Sequence, residues 1–218
     1  LPIDYVISPE IEIAKSLQRK LEAPGALDNV PFAENKLRLL EILIDEKCPI
    51  HEIKLKDLTN KFPNLNAYRL GVIREDGFKI LKKNDKLQHN DKAYVIVNSN
   101  QMKETLKVFG HNEKIANKIL IIGGGNIGFN LASNIEKNFD EARVKIIEKD
   151  KKRAELIANF LNDTIVINGN GLDEDVLNEA NLDEVETVLA LTNDDEDNLM
   201  VSVLVEKFSK NKRTCLLY

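Results

Sequence analysis

The sequence predicts an α/β protein, with a parallel sheet in its second half and a smaller α+β module before it. Three observations carry that reading. From residue 114 onward, short continuous apolar runs alternate with helical patterns, as expected of strands buried on both faces and joined by helices. Between about residues 30 and 109 the apolar runs are separated mainly by turns, which favours a compact, strand-rich module. The first apolar run of the second half leads straight into a glycine-rich turn that opens a helix.

The elements follow in order. Residues 1–23 hold a short apolar run, Tyr5-Val-Ile, then Ser8-Pro9-Glu10. Ser8 is suited to an N-cap and Pro9 to the first helical position. Apolar residues at 11, 13, 14, 17 and 21 continue with helical spacing until Pro24-Gly25. A strand end and a helix without a partner of their own read as the tail of a preceding domain. In the module, strands are expected at 37–44, 67–74, 78–81 and 93–97, with Glu75-Asp76-Gly77 as a hairpin turn. Short helices are expected at 53–62 and 102–109. In the second half, strands are expected near 118–122, 143–148, 164–167, 186–191 and 213–218. Helices are expected near 126–138, 150–161, 173–180 and 195–209.

Composition narrows the class. The chain has 218 residues, 43% of them hydrophobic, and a net charge of −5 from 31 basic and 36 acidic side chains. That length suits one large or two small domains. No basic stripe occurs, so nucleic acid is not an expected partner. Cys48 and Cys215 lie in unrelated contexts and read as reduced thiols of an intracellular protein. No signal peptide and no run of 18 apolar residues is present. His51, His89 and His111 read as surface or loop histidines, and none has a second histidine or cysteine at ligand spacing, so no metal site is expected.

The chemistry is concentrated in the second half. Lys118-Ile-Leu-Ile-Ile-Gly123-Gly124-Gly125-Asn126-Ile127-Gly128 sets a G-x-G-x-x-G turn between strand and helix, and Glu148 follows 20 residues past Gly128. This is the dinucleotide-binding pattern of a Rossmann-like half in its proper context. Gly123 allows the tight turn, Gly125 the approach of a pyrophosphate, and Gly128 close packing of helix on strand. The helix start, with Asn126 and Ile127, offers free N–H groups to phosphate, and Glu148 can take ribose hydroxyls. The alternative is a βα turn that keeps its glycines for packing alone.

Two further clusters lie at strand ends. Asn168-Gly169-Asn170-Gly171-Leu172-Asp173 follows the third strand, where adenine and ribose would lie, and its glycines could permit positive φ and close approach of a ligand. An ordinary turn with Asp173 capping the next helix is the alternative. Thr192-Asn193-Asp194-Asp195-Glu196-Asp197 follows the fourth strand. Thr192 with Asp195 resembles a capping box, and the acids complement the helix dipole. Contact of Thr192 and Asn193 with a second phosphate is the functional reading. A divalent-cation site is disfavoured, since the acids lack the alternation of a calcium loop. There is no histidine after Gly123, no G-x-S-x-G elbow and no carboxyl in an apolar setting that would raise its pKa, so no catalytic residue is expected.

These motifs together resemble the tandem RCK/KTN family, cytoplasmic regulatory subunits of potassium channels and transporters. Ile7-Ser8-Pro9-Glu10 and Pro24-Gly25-Ala26 resemble the end of a first nucleotide-binding half. Phe32-Ala33-Glu34, the 37–44 strand, Gly71-Val-Ile-Arg74 and Asn90-Asp91-Lys-Ala-Tyr-Val95 resemble the RCK C-terminal module. Gly123 to Gly128, Glu148-Lys149-Asp150, Arg153 and Ala190 to Asn198 resemble the second nucleotide-binding half. The resemblance implies an internal fragment, divided at 1–23, 24–113 and 114–218, and the docking of residues 1–23 beside the 213–218 strand, in the same molecule or a neighbouring copy. Where the family often has Gly-Asp-Gly/Ala-Thr/Ser-Asp, this chain has Gly169-Asn170-Gly171-Leu172-Asp173, so Asn170 lacks the charge and Leu172 the hydroxyl.

The resemblance further implies a homo-oligomer, dimers building into a ring on the inner face of the plasma membrane beneath a membrane-embedded potassium transporter. Its ligand would be NAD(H), with ATP or ADP as alternatives, contacted also by Lys149 and Arg153. A carboxylate at Glu148 disfavours a 2′-phosphate. Two other readings stay open: a truncated NAD-dependent dehydrogenase, and a structural module with a non-binding pocket. The sequence names no ligand for the 24–113 module.

Overall fold

The computed structural model describes residues 7–62, 67–208 and 213–217, of which 59–61, 67–69, 208 and 213–217 are described by their backbone. The chain forms two compact units. One holds Arg19–Ile115; the other joins the segment ending at Gln18 to the chain from Ala116 onward. The division passes through the first helix, α1 (Pro9–Glu22).

The Arg19–Ile115 unit is built on an antiparallel sheet of β1 (Asp28–Phe32), β2 (Leu37–Leu43), β3 (Ala67–Arg74), β4 (Gly77–Ile80) and β5 (Lys92–Asn98), in the order β1-β2-β5-β3-β4. Period-two alternation sends Leu40, Ile42, Val72, Ala93, Val95 and Val97 into one core. There they meet Leu58 of α2 (Leu55–Lys61) and Leu106 of α3 (Met102–Val108). Asp91 is 2% exposed and accepts bonds from Arg74 Nε at 2.6 Å, Arg74 Nη2 at 2.8 Å and the Gln88 N–H at 2.8 Å. Burial alone would raise the Asp91 pKa, but the Arg74 hydrogen bonds and the Gln88 N–H outweigh it and hold the carboxyl below its usual range. The strand β1 was not expected from sequence. It is short, carries Pro31 and lies at the sheet edge, where a missing N–H is tolerated.

The other unit contains a fully parallel sheet of β6 (Lys118–Ile122), β7 (Arg143–Glu148), β8 (Ile165–Asn168), β9 (Thr187–Ala190) and β10 (Arg213–Leu217), in the order β10-β9-β6-β7-β8. Leu120, Ile122, Val188 and Ala190 share a core with Leu177 of α6 (Glu174–Glu179) and Val201 and Val205 of α7 (Asp195–Phe208). Ile119 and Ile121 alternate to the opposite face. That face is covered by α4 (Asn126–Asn138), whose Leu131, Ala132 and Ile135 are buried, and by α5 (Lys151–Phe160), with Ile157 buried. The chain runs outward from β6 through β7 to β8, then returns to the other side of β6 with β9. Strand order therefore reverses between β6 and β9, the switch point where open α/β sheets bind ligands at their carboxyl ends.

The expected apolar run at Tyr5-Val-Ile lies outside the described residues. Ser8 stands directly before α1, at the N-cap position expected of it. Its hydroxyl donates to the Glu10 carboxylate at 2.8 Å, while its carbonyl accepts the Glu12 N–H. His111 is a loop residue, but its ring is tucked beneath Gly25, where an added Cβ would lie 2.6 Å from it.

Candidate functional site

The turn after β6 is shaped by its glycines. Gly123 has φ +110°, and a Cβ there would stand 2.5 Å from the Leu191 carbonyl oxygen. A Cβ on Gly128 would lie 2.0 Å from the Gly123 carbonyl oxygen. Both positions exclude any side chain on account of the protein's own backbone. Gly125 differs: an added Cβ meets nothing within 4 Å. The protein does not need a glycine there, and the space beside it is open. Gly125 is the N-cap of α4 and provides no side-chain bond, so the first-turn amides of that helix have no capping side chain.

That open space belongs to a cavity of about 520 Å³ at the carboxyl ends of β6, β7, β8 and β9. Gly123, Gly125, Asn126, Ile127, Glu148, Lys149, Arg153, Gly169, Asn170, Gly171, Thr192 and Asn193 all line it. Gly128 does not; it is buried behind the turn. Glu10, Asp150 and Asp197 also line the cavity and were not expected to.

Glu148 is fixed at both oxygens. Oε2 accepts the Gly124 N–H at 2.7 Å and Oε1 the Asp150 N–H at 2.8 Å. Arg153 donates from Nε to the Gly124 carbonyl at 2.8 Å and from Nη2 to Asn126 Oδ1 at 3.4 Å, with its guanidinium 5.8 Å from the Phe129 ring centre. Its first-turn N–H is taken by Asp150, the N-cap of α5. Arg153 and Glu148 thus brace the glycine turn from opposite sides.

Two expectations are corrected. Neither Gly169 nor Gly171 has positive φ. Their hydrogens make room for the protein itself: a Cβ would come within 2.7 Å of Val176 at Gly169 and within 2.3 Å of Ile122 at Gly171. The Asn170 side chain is engaged in the turn, accepting the Leu172 N–H at 3.0 Å. The second correction concerns Thr192 and Asp195. The α7 cap is made by Asp194, whose Oδ1 accepts the Asp197 N–H at 2.9 Å. Thr192 instead bonds Asn198, 2% exposed, through Oγ1 at 2.8 Å and N–H at 2.9 Å. Asn198 positions the wall that Thr192 and Asn193 form. It directly follows the acidic run, and that place gave no separate signal.

No carboxyl has the raised pKa of a buried general acid among those clearly shifted. Glu10, Asp85, Asp91, Glu136 and Glu184 are all shifted downward. Among the described residues no group of three metal-ligating side chains is assembled, and no helix is long and apolar enough to cross a membrane.

A G-x-G-x-x-G turn at the switch point of a parallel sheet, joined in one chain to an antiparallel α+β unit, is a fold shared with solved RCK domains. The crystal structure of the GsuK RCK domain aligns with 96% of this chain and 44% of its own, at a TM-score of 0.60 and 17% identity. A structure of the GsuK channel bound to NAD aligns with 95% of this chain, at a TM-score of 0.57 and 16% identity. Residues 119–217 match the TrkA-N domain family. The Trk system potassium uptake protein TrkA of Azorhizobium caulinodans is 36% identical over the whole chain, and that of Vibrio alginolyticus is 32% identical. The second half of the chain thus resembles the TrkA-N domain, and the chain as a whole is similar in sequence to TrkA proteins. It spans about half of those curated relatives, 47% in both cases.

Proposed function

We propose that this chain is part of a cytoplasmic, nucleotide-sensing regulatory subunit for potassium uptake, acting on a membrane-embedded transporter. The observation that carries the reading is the open space at Gly125, facing an uncapped α4 N-terminus on one side and the fixed Glu148 carboxylate on the other. A diphosphate fits the first, because the amides and the helix dipole favour an anion. A ribose diol fits the second, because a carboxylate accepts two hydroxyl donors and repels a 2′-phosphate. NAD(H) is the ligand proposed, with ATP and ADP as alternatives carrying the same ribose. Gly125, Asn126 and Ile127 would hold the diphosphate; Glu148 the adenosine ribose; Gly169, Asn170 and Gly171 the adenine end; Thr192 and Asn193 the far phosphate.

The remaining assignments follow the family. Residues 24–113 would serve as an RCK C-terminal module, residues 1–23 as the end of a preceding nucleotide-binding half, and 114–218 as the second such half. Copies would assemble as dimers building a ring. A ligand that binds one ring state more tightly than another shifts the ring between them by that difference in affinity. No chemistry on the ligand is required.

The test is calorimetric titration of NADH, NAD, ATP and ADP, with NADPH as control, into the protein and a Gly125→Asp variant. Micromolar binding that disappears in the variant supports a sensor. A folded protein that binds none of them contradicts the reading and leaves a structural module.

A further inference from the structure

Glu10 is the cavity residue most distant in sequence from the glycine turn. It lies in the first turn of α1 and in the same compact unit as the cavity, whose wall it shares with Gly125, Asn126 and Ile127. The Ser8 hydroxyl donates to its carboxylate at 2.8 Å, and Asn126 lines the same cavity. Asn126 is the first residue of α4. A negative charge therefore stands against the end of the cavity where open amides favour an anion. Its own backbone N–H and the Ser8 hydroxyl hold the carboxyl below its usual range, so it is ionised at neutral pH. No cationic side chain is among the groups that lower its pKa. Arg153 is committed to Gly124 and Asn126, and Lys149 follows Glu148 at the end of β7.

We infer that Glu10 is a specificity-determining residue: its carboxylate selects against nucleotides whose phosphate chain ends in a free terminal phosphate, and so favours a dinucleotide diphosphate over ATP. This rests on the nucleotide-binding reading above. In a dinucleotide each phosphate is linked on both sides, to a ribose by an ester and to its neighbour by the bridging anhydride oxygen, so each carries a single charge and a ribose continues the chain past the helix start. In ATP that place is taken by a terminal phosphate, a group of roughly −1.5 to −2 charges near neutral pH. Like charges a few ångströms apart at a partly solvated surface lower affinity by about several-fold.

Calorimetric titration of NADH and ATP, in EDTA so that no divalent cation screens the carboxylate, tests this on the 218-residue chain, Glu10→Gln and Glu10→Lys. Glu10→Gln should tighten ATP about fivefold and NADH less than about twofold, and Glu10→Lys should widen the difference. Equal effects on both ligands, or none, overturn the specificity role while leaving the site intact. Failure of every protein to bind either ligand, with each shown folded by its thermal transition, removes the nucleotide reading and this inference with it.

Discussion

Asn198 grips Thr192 with one side chain. Its Oδ1 accepts both the N–H and the hydroxyl of Thr192, at 2.9 and 2.8 Å, and its Nδ2 donates to the Thr192 carbonyl at 3.1 Å. A helix residue thereby fixes the turn after β9 that forms one wall of the cavity. Asn198→Ala would leave the Thr192 N–H and carbonyl without these bonds, while the hydroxyl keeps Asp194. The expected cost is about 2 kcal/mol of stability, measured by chemical denaturation, together with about tenfold weaker nucleotide binding. Unchanged affinity in the folded variant would remove the turn from the site.

Gly125 and Gly128 make opposite predictions from one motif. Gly128→Ala forces a Cβ to within 2.0 Å of the Gly123 carbonyl, so the variant should lose about 3 kcal/mol or more. Gly125 has φ −62°, which alanine adopts readily, and nothing lies within 4 Å of the new Cβ. Gly125→Ala should keep or gain a few tenths of a kcal/mol while weakening ligand binding. Thermal melts beside calorimetry separate the two effects.

Glu148 is predicted to set the choice between dinucleotides. Both of its oxygens accept backbone N–H groups, which fixes the carboxylate in the cavity wall; on the proposed reading a 2′-phosphate would meet it there. Glu148→Gln should reduce the preference for NADH over NADPH by about tenfold. Competition binding with the two reduced cofactors reads that ratio directly.

The Asp91–Arg74 pair predicts an acid limb in the stability of the Arg19–Ile115 unit. The folded Asp91 carboxyl is held below its ordinary value of 3.8. Its contribution is therefore complete above that value and is lost as pH falls through the lower, folded pKa. Asp91→Asn should flatten the stability profile below about pH 4 and lower the plateau by about 3 kcal/mol, since Arg74 loses its partner. Denaturation midpoints across pH 2–7 check both.

The parallel sheet was legible because each strand is a continuous apolar run between helical patterns, and both the switch point and the glycine turn follow from that order. What sequence missed depends on contacts between distant residues. Pro31 hides β1, because a sheet edge is not visible in a local pattern. Glu10 stands more than a hundred positions before Gly125, so no spacing rule joins them. Thr192 with Asp195 has the letters of a capping box, but Asn198 takes the threonine and Asp194 becomes the cap. Gly169 and Gly171 were assigned to backbone freedom, whereas Val176 and Ile122 demand them by packing.

The central claim is that a nucleotide diphosphate rests on the open amides of α4. Backbone amide shifts of the isotopically labelled protein, followed during titration with NADH, test it most directly. The account predicts saturable shifts at Gly125, Asn126 and Ile127 and at the Gly124 N–H bonded to Glu148, all lost in Gly125→Asp. Shifts confined to the Arg19–Ile115 unit, or none at ligand concentrations that saturate binding, would contradict it.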